Sequence, residues 1–164
     1  ETVFDIDLDG LYAQGYRTIF TDVDNTILGL REQNLSLDYL NWIEDAKRMG
    51  FRVLLISNNS SSWRIQRVAT QADVSGVYFA FKPSVASIRD LADQYHIDLT
   101  KSMMIGDQVL TDVLTGNWVK AHSVLVQPID KQLSIIKLIQ QDVERWLLQR
   151  LNIPLAFSTH SGGL

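Results

Sequence analysis

Short apolar runs and helix-patterned stretches alternate along this chain. Residues 17–23 (RTIFTDV), 51–57 (FRVLLIS), 77–81 (VYFAF), 101–107 (KSMMIGD) and 122–128 (HSVLVQP) are apolar and bounded by polar or turn residues. Runs of that length predict strands buried on both faces. Between them, 36–50 (SLDYLNWIEDAKRMG), 61–72 (SSWRIQRVATQA) and 84–96 (SVASIRDLADQYH) repeat apolar residues at helical spacing. Ser36 is placed to cap the first of these helices and Gly50 to stop it, and a further short helix is expected near 108–118. Strands alternating with helices at this spacing predict a parallel sheet with helices on both faces. The expected fold class is therefore α/β, a three-layer doubly wound sheet in one domain spanning 1–164, with its core at about 16–128. A longer helix is expected over about 129–151, with Leu133, Ile136, Ile139, Val143, Trp146 and Leu147 near one stripe. A stripe that narrow predicts docking on its own domain, and the near balance of acidic and basic residues argues against a membrane-surface helix.

Composition narrows the function classes. The 164 residues are 46% hydrophobic and 21% charged, with a net charge of −4 and a pI near 5.2. That is an ordinary globular balance, and it offers no basic surface for nucleic acid. There are no cysteines, which removes disulfides, thiolate metal sites and a Cys nucleophile. No apolar run is long enough to span a membrane. The sequence opens on Glu1, which leaves room for a trimmed targeting segment, and a cytoplasmic location is the default expectation.

The candidate chemistry lies at the strand ends. The first strand stops on Asp22 and Asp24, with Thr26 two places on. Asp follows strands for plain reasons, since it starts turns and caps helices, but here the pattern recurs. The second strand ends in Ser57, Asn58 and Asn59; after the third comes Lys82-Pro83; after the fourth come Gly106-Asp107 and Thr111-Asp112. In a parallel sheet all these ends face one edge, where open α/β sheets bind ligands. If the first strand continued, Asp22 and Asp24 would point the same way; a turn would instead set one main-chain carbonyl beside the other's carboxylate. Four clustered aspartates repel one another unless a hard cation sits among them, and an all-oxygen donor set suits Mg²⁺. Lys82 adds a point charge for phosphate, Ser57 can donate to its oxygens, and Gly106 permits a close backbone approach. Phosphoryl transfer needs mainly positioning and charge neutralisation.

In that order, DVDNT, ISNN, FKP and GDQVLTD resemble the four signature motifs of the haloacid dehalogenase (HAD) superfamily. The resemblance spans residues 18–112 and implies a Rossmann-like core with a minimal cap. It implies Asp22 as a nucleophile that forms an aspartyl-phosphate, Asp24 as general acid and base, and Lys82 as the residue steadying both nucleophile and phosphate. Thr26, Ser57 and Asn58 fall at the substrate. Asp22, the main-chain carbonyl of Asp24, and Asp107 fall at Mg²⁺, with Gly106 and Asp112 behind them. An Asp two residues after the nucleophile is typical of the phosphatases of this superfamily. The spacing between motifs leaves room for a flap (ILGLREQ) and no inserted cap domain, and capless members have open sites suited to macromolecular or lipid phosphoesters. The opening FDIDLDGLYAQGYRTIFTDVDNT is similar to the bacterial YqeG-type IIIA phosphatases, a subgroup similar to phosphatidylglycerophosphate phosphatases. The partners implied are a phosphorylated small molecule or a lipid substrate, the latter through peripheral membrane contact.

Competing readings are weaker. DIDLDG (5–10) opens like an EF-hand loop, but its twelfth position is Tyr16 and not the bidentate Glu required. His96, His122 and His160 are scattered and read as structural or solvated; Trp42, Trp63 and Trp146 read as packing residues, with Trp118 as the exception near the fourth motif. A signalling receiver domain would need an acceptor Asp after the third strand, where FAFKP has none. A non-catalytic phosphate-binding module is opposed by the presence of every expected catalytic residue.

Overall fold

The computed structural model describes residues 1–130; the helix expected from 129 onward falls almost wholly outside them. Five parallel strands form one sheet: β1 (Thr18–Thr21), β2 (Arg52–Ile56), β3 (Ser75–Val77), β4 (Ser102–Gly106) and β5 (His122–Leu125), in the order β3-β2-β1-β4-β5. β1 is central, pairing Ile19 with Val53 on one side and Met103 on the other. The chain leaves β1 toward β2 and later returns to β4 on the opposite side. The carboxyl ends of β1 and β4 therefore border a topological switch point, the crevice where such sheets bind ligands.

Strand side chains alternate between the two faces, and two separate cores result. Ile19, Val53, Leu55, Met103 and Ile105 pack under α2 (Leu37–Arg48) and α3 (Ser62–Ala72) through Trp42, Ile43, Ala46, Ile65 and Val68. Phe20, Leu54, Ile56 and Met104 pack under α4 (Ala86–Tyr95) and α5 (Leu114–Val119) through Ile88, Leu91 and Val119. This is the three-layer arrangement the alternating pattern predicts. Ser36 caps α2 by accepting from the Tyr39 N–H, and Gly50 follows its end at φ 97°, a conformation that costs Gly little. Between β1 and α2 the chain supplies only a flap, with no inserted domain.

Two segments differ from expectation. The run 77–81 is not the third strand, which lies earlier, at Ser75–Val77. Phe79 and Phe81 have φ of 57° and 54°, which breaks extended pairing, and both rings are exposed. Main-chain bonds from the Phe79 N–H to Asn59 O and from the Ala80 N–H to Ser57 O hold this loop against the end of β2. Of the burial its apolar composition suggested, only Ala80 and part of Val77 reach the core, while Tyr78, Phe79 and Phe81 stay exposed. The amino-terminal DIDLDG enters a short helix, α1 (Leu8–Ala13). Asp7 accepts from the Gly10 N–H at 2.9 Å and Asp5 from the Thr2 N–H at 2.7 Å, so both acids serve as local caps.

Gly116 in α5 crosses β4 so closely that an added Cβ would lie 2.4 Å from Ser123 Oγ and 2.9 Å from Met104 Cβ. Gly to Ala ordinarily gains about 1 kcal/mol in a helix, but overpacking of this kind costs about 1–3 kcal/mol. Gly116→Ala is therefore expected to lower the urea midpoint, and a raised midpoint would show that α5 can move aside.

Candidate active site

The strand ends bring most of the sequence-predicted residues together. β1 stops at Thr21, so Asp22 leads out of the sheet, anchored by its N–H to Ile105 O at 2.8 Å. The next residues turn sharply: Asn25 has φ 68°, and the N–H groups of Ile27 and Leu28 return to Val23 O at 3.1 and 3.0 Å. Asp22 and Asp24 therefore do not share one strand face. Asp24 is directed to the β2 end, where its Oδ2 accepts from Ser57 Oγ at 3.1 Å and Asn59 Nδ2 at 3.0 Å.

Lys82 lies at the centre of the cluster. Its Nζ donates to Asp22 Oδ1 at 2.5 Å, Asp112 Oδ1 at 2.6 Å and Ile56 O at 2.9 Å. An ammonium has three protons, and all three are engaged. Its first task is thus to hold the carboxylates, and reaching a phosphate requires sharing a proton. Asn58, expected at the substrate, uses its amide on the main chain of Lys82 instead, accepting from the N–H at 2.6 Å and donating to the carbonyl at 2.9 Å. Asn58 aligns the lysine. Thr26, also expected at the substrate, sets its hydroxyl between Asp22 Oδ2 at 3.2 Å and Asp107 Oδ1 at 3.3 Å.

Asp112 reaches the site from the helical turn after β4, with Oδ1 on Lys82 and Oδ2 accepting from the Gln108 N–H at 3.1 Å. A Cβ on Gly106 would lie 2.2 Å from Asp112 Cγ, so only glycine at 106 lets this carboxylate lie under the end of β4. Both Asp112 oxygens are satisfied by short bonds. The facing oxygens of Asp22 and Asp107 have only the Thr26 hydroxyl and the Asn25 amide, the latter at 3.4 Å.

Carboxylate oxygens of Asp22, Asp107 and Asp112, all buried, lie within 4.8 Å of one another. Three carboxylates against one ammonium leave two negative charges, and hard oxygen donors with that excess fit a divalent cation. Burial pushes Asp22 up to about 7, against the pull of Lys82 and with the added push of Asp112 and Asp107. Burial and then Asp112 raise Asp107 to about 6. Burial draws Lys82 down, but Asp22 and Asp112 outweigh it and hold its ammonium above the ordinary lysine range.

A hollow of about 1440 Å³ lies at the opposite edge of the sheet. Its cations are engaged locally: Arg17 bonds Tyr12 O and Tyr16 O, Arg52 bonds Tyr95 O, Lys101 bonds Gln14 O, and Lys47 bonds Ala72 O and pairs with Asp73. It holds helix termini in place, and the acidic cluster is elsewhere.

Residues 80–128, which include Lys82, Asp107 and Asp112, match the HAD-hydrolase-like family. A probable phosphatase of Bacillus subtilis (strain 168), YqeG, is 29% identical over 151 residues, covering 92% of this chain and 87% of that one. In both comparisons the chain resembles the haloacid dehalogenase superfamily. Solved structures carry the same fold. The cobalt-bound deoxy-D-mannose-octulosonate 8-phosphate phosphatase of Haemophilus influenzae superposes with a TM-score of 0.57 at 15% identity, over 67% of this chain and 68% of that one. The 3-deoxy-D-manno-octulosonate 8-phosphate phosphatase of Moraxella catarrhalis, in complex with magnesium, phosphate and its sugar, superposes with 0.52 at 12% identity, over 87% and 98%.

Within this site one participant escaped the motif reading. Arg64, on α3, is buried and donates from Nε to Asp24 Oδ1 at 2.9 Å. Its signal was present in the sequence: it falls on the same helix face as Ile65, Val68 and Ala72, and a charge on an apolar stripe needs a partner. Among the described residues the imidazoles take no part: His96 ends α4 and His122 packs beside Tyr16, while His160 and Trp146 lie outside those residues. Trp42 is buried as expected, but Trp63 is 53% exposed and is not a packing residue.

The raised carboxyls make a pH prediction. In the metal-free chain Asp22 and Asp107 keep protons up to about 7 and 6, whereas an unfolded Asp loses its proton near 4. Their contribution to stability is complete below the unfolded value and is lost as pH rises through 6 and 7. With EDTA, the melting temperature is expected to fall between about pH 5 and about pH 8. Mg²⁺, which replaces those protons, should shrink or reverse the fall. Identical pH slopes with and without Mg²⁺ would show that the cluster is not a cation site.

Proposed function

We propose that this chain is a Mg²⁺-dependent phosphomonoester hydrolase that acts through an aspartyl-phosphate on Asp22, with a lipid phosphomonoester of the phosphatidylglycerophosphate class as substrate. The observation that carries the hydrolytic part is the buried Asp22–Lys82–Asp112 cluster, with Asp107 beside it, at the end of the central strand. The cluster joins a carboxylate to fixed positive charge and leaves an excess of negative charge for a cation to neutralise.

Asp22, the main-chain carbonyl of Asp24, and Asp107 would hold the Mg²⁺. When bound, the ion supplies charge neutralisation between the acids and the phosphoryl oxygens. An Asp22 oxygen attacks phosphorus as the ester P–O bond breaks, and Asp24 gives its proton to the departing oxygen. Asp24 then takes a proton from water as the water oxygen attacks the same phosphorus. The bond to Asp22 breaks, and phosphate leaves with the carboxylate restored. Lys82 keeps Asp22 aimed and offsets its charge throughout. Asp112 and Asn58 keep Lys82 aimed. The Ser57 hydroxyl, on Asp24 in this structure, turns to a phosphoryl oxygen when substrate arrives.

The lipid part is supported by what surrounds the site. No domain is inserted over it among the described residues, and the segments that follow β2, β3 and β4 carry exposed Trp63, at the start of α3, with Tyr78, Phe79, Phe81 and Val109. Exposed aromatic and apolar side chains beside a polar site suit the interface of a bilayer, where amphipathic rings partition. No helix of the described residues is long and apolar enough to cross a membrane, so contact would be from one side. The full-length likeness to YqeG supports a phosphatase.

Phosphate release measured with Mg²⁺, with EDTA and with Asp22→Asn tests both parts. The substrates are p-nitrophenyl phosphate, a sugar phosphate, a phosphopeptide and phosphatidylglycerophosphate in anionic vesicles. Release is expected to require Mg²⁺, to fall roughly a thousandfold or more in Asp22→Asn, and to be fastest on the vesicles. Preference for the sugar phosphate would replace the lipid with a soluble metabolite. Release that survives Asp22→Asn would remove the covalent mechanism.

A further inference from the structure

Asp24 must keep its aim while its neighbours change. Two of its three side-chain partners come from the loop after β2: Ser57 Oγ at 3.1 Å and Asn59 Nδ2 at 3.0 Å, both on Oδ2. The third is the Arg64 guanidinium on Oδ1 at 2.9 Å. Ser57 is also the hydroxyl that a bound phosphoryl group would recruit, so its hold on Asp24 is released as substrate enters. What remains on Oδ1 is Arg64.

Arg64 does more than pair with one acid. Its Nη2 donates to Gly29 O at 2.9 Å and its Nη1 to Glu32 O. These carbonyls belong to the flap between β1 and α2. Beyond the Asp24–Leu28 bridge, the flap is folded by the Gly29 N–H to Glu32 Oε2 bond at 3.1 Å and the Leu30 N–H to Asp130 Oδ2 bond at 2.8 Å. One planar guanidinium thus joins α3, the flap and Asp24. A lysine has a single donor point and cannot reproduce that fork. Because Arg64 is buried, its charge has little water to fall back on, and among the described residues Asp24 is the one carboxylate it meets.

We propose that Arg64 is the positioning residue for Asp24, holding the leaving-group acid in register with the flap while Ser57 transfers to the phosphate. The inference rests on the phosphatase reading above and adds a residue that the signature motifs do not contain. It has a kinetic signature that a purely structural staple lacks. An acid that has lost its aim matters most when the departing oxygen is a poor leaving group, and little when that oxygen departs unaided as p-nitrophenolate. kcat/KM isolates the step in which the ester bond breaks.

The test compares kcat/KM for glycerol phosphate and for p-nitrophenyl phosphate in wild type, Arg64→Gln and Arg64→Lys, with Mg²⁺ saturating and folding confirmed by circular dichroism. Both variants are expected to lose about 10- to 100-fold on glycerol phosphate and less than about 3-fold on p-nitrophenyl phosphate. Arg64→Lys keeps the aliphatic stem and the charge, and it carries the test if Arg64→Gln does not fold. Equal losses on the two esters would make Arg64 a staple of the flap alone, and no loss on either would remove it from the site; each overturns the proposal. A wild-type protein inert on both esters and on phosphatidylglycerophosphate vesicles would instead defeat the phosphatase reading, and the role of Arg64 would fall with it.

Discussion

One buried ammonium shared among buried carboxylates governs this structure. Lys82 touches Asp22 and Asp112, and Asp107 lies within reach of both acids. Burying any one of these charges alone would be prohibitive. The geometry around them consists largely of devices that keep the shared arrangement intact. Gly106 clears space for Asp112, Asn58 clasps the lysine's main chain, and Ile56 O takes the third proton. The sheet supplies the platform, since β1, β2 and β4 are adjacent and end at the same level.

The arrangement remains under-neutralised, and that is its functional content. A site balanced for stability would pair its charges one to one or replace them with packed apolar groups. Here the acids outnumber the cation, and burial lifts Asp22 and Asp107 well above the usual carboxylate range. Protons or a divalent ion must supply the balance. Under the proposed function, the stability surrendered by crowding acids would be returned as affinity for a cation and for the anionic substrate that the cation attracts.

Asp24 belongs to a different electrostatic neighbourhood from Asp22, although a single residue separates them. Asp22 faces Lys82, whereas Asp24 faces Arg64, Ser57 and Asn59. The turn at Asn25, whose backbone adopts a left-handed conformation, accompanies that division. Two carboxylates given separate partners can take separate roles, one as nucleophile and the other as proton carrier. The flap joins the second neighbourhood through Arg64, so access to the site and the aim of Asp24 share a physical link.

The alternation of apolar runs and amphipathic helices determined the parallel, doubly wound sheet, because a strand buried on both faces and a helix with one apolar stripe have few other ways to pack. The order of polar strand ends likewise named Asp22, Asp24, Ser57, Lys82, Asp107 and Asp112, since parallel strands deliver their carboxyl ends to one edge. Tertiary structure decided what local pattern could not express. The apolar run at 77–81 is a loop because main-chain bonds to Ser57 and Asn59 turn it out of the sheet. Asn58 and Thr26 meet protein groups instead of open space, and Arg64 reaches Asp24 across 40 residues of sequence. Such pairings depend on distances between elements, and those distances exist only once both faces of the sheet are packed.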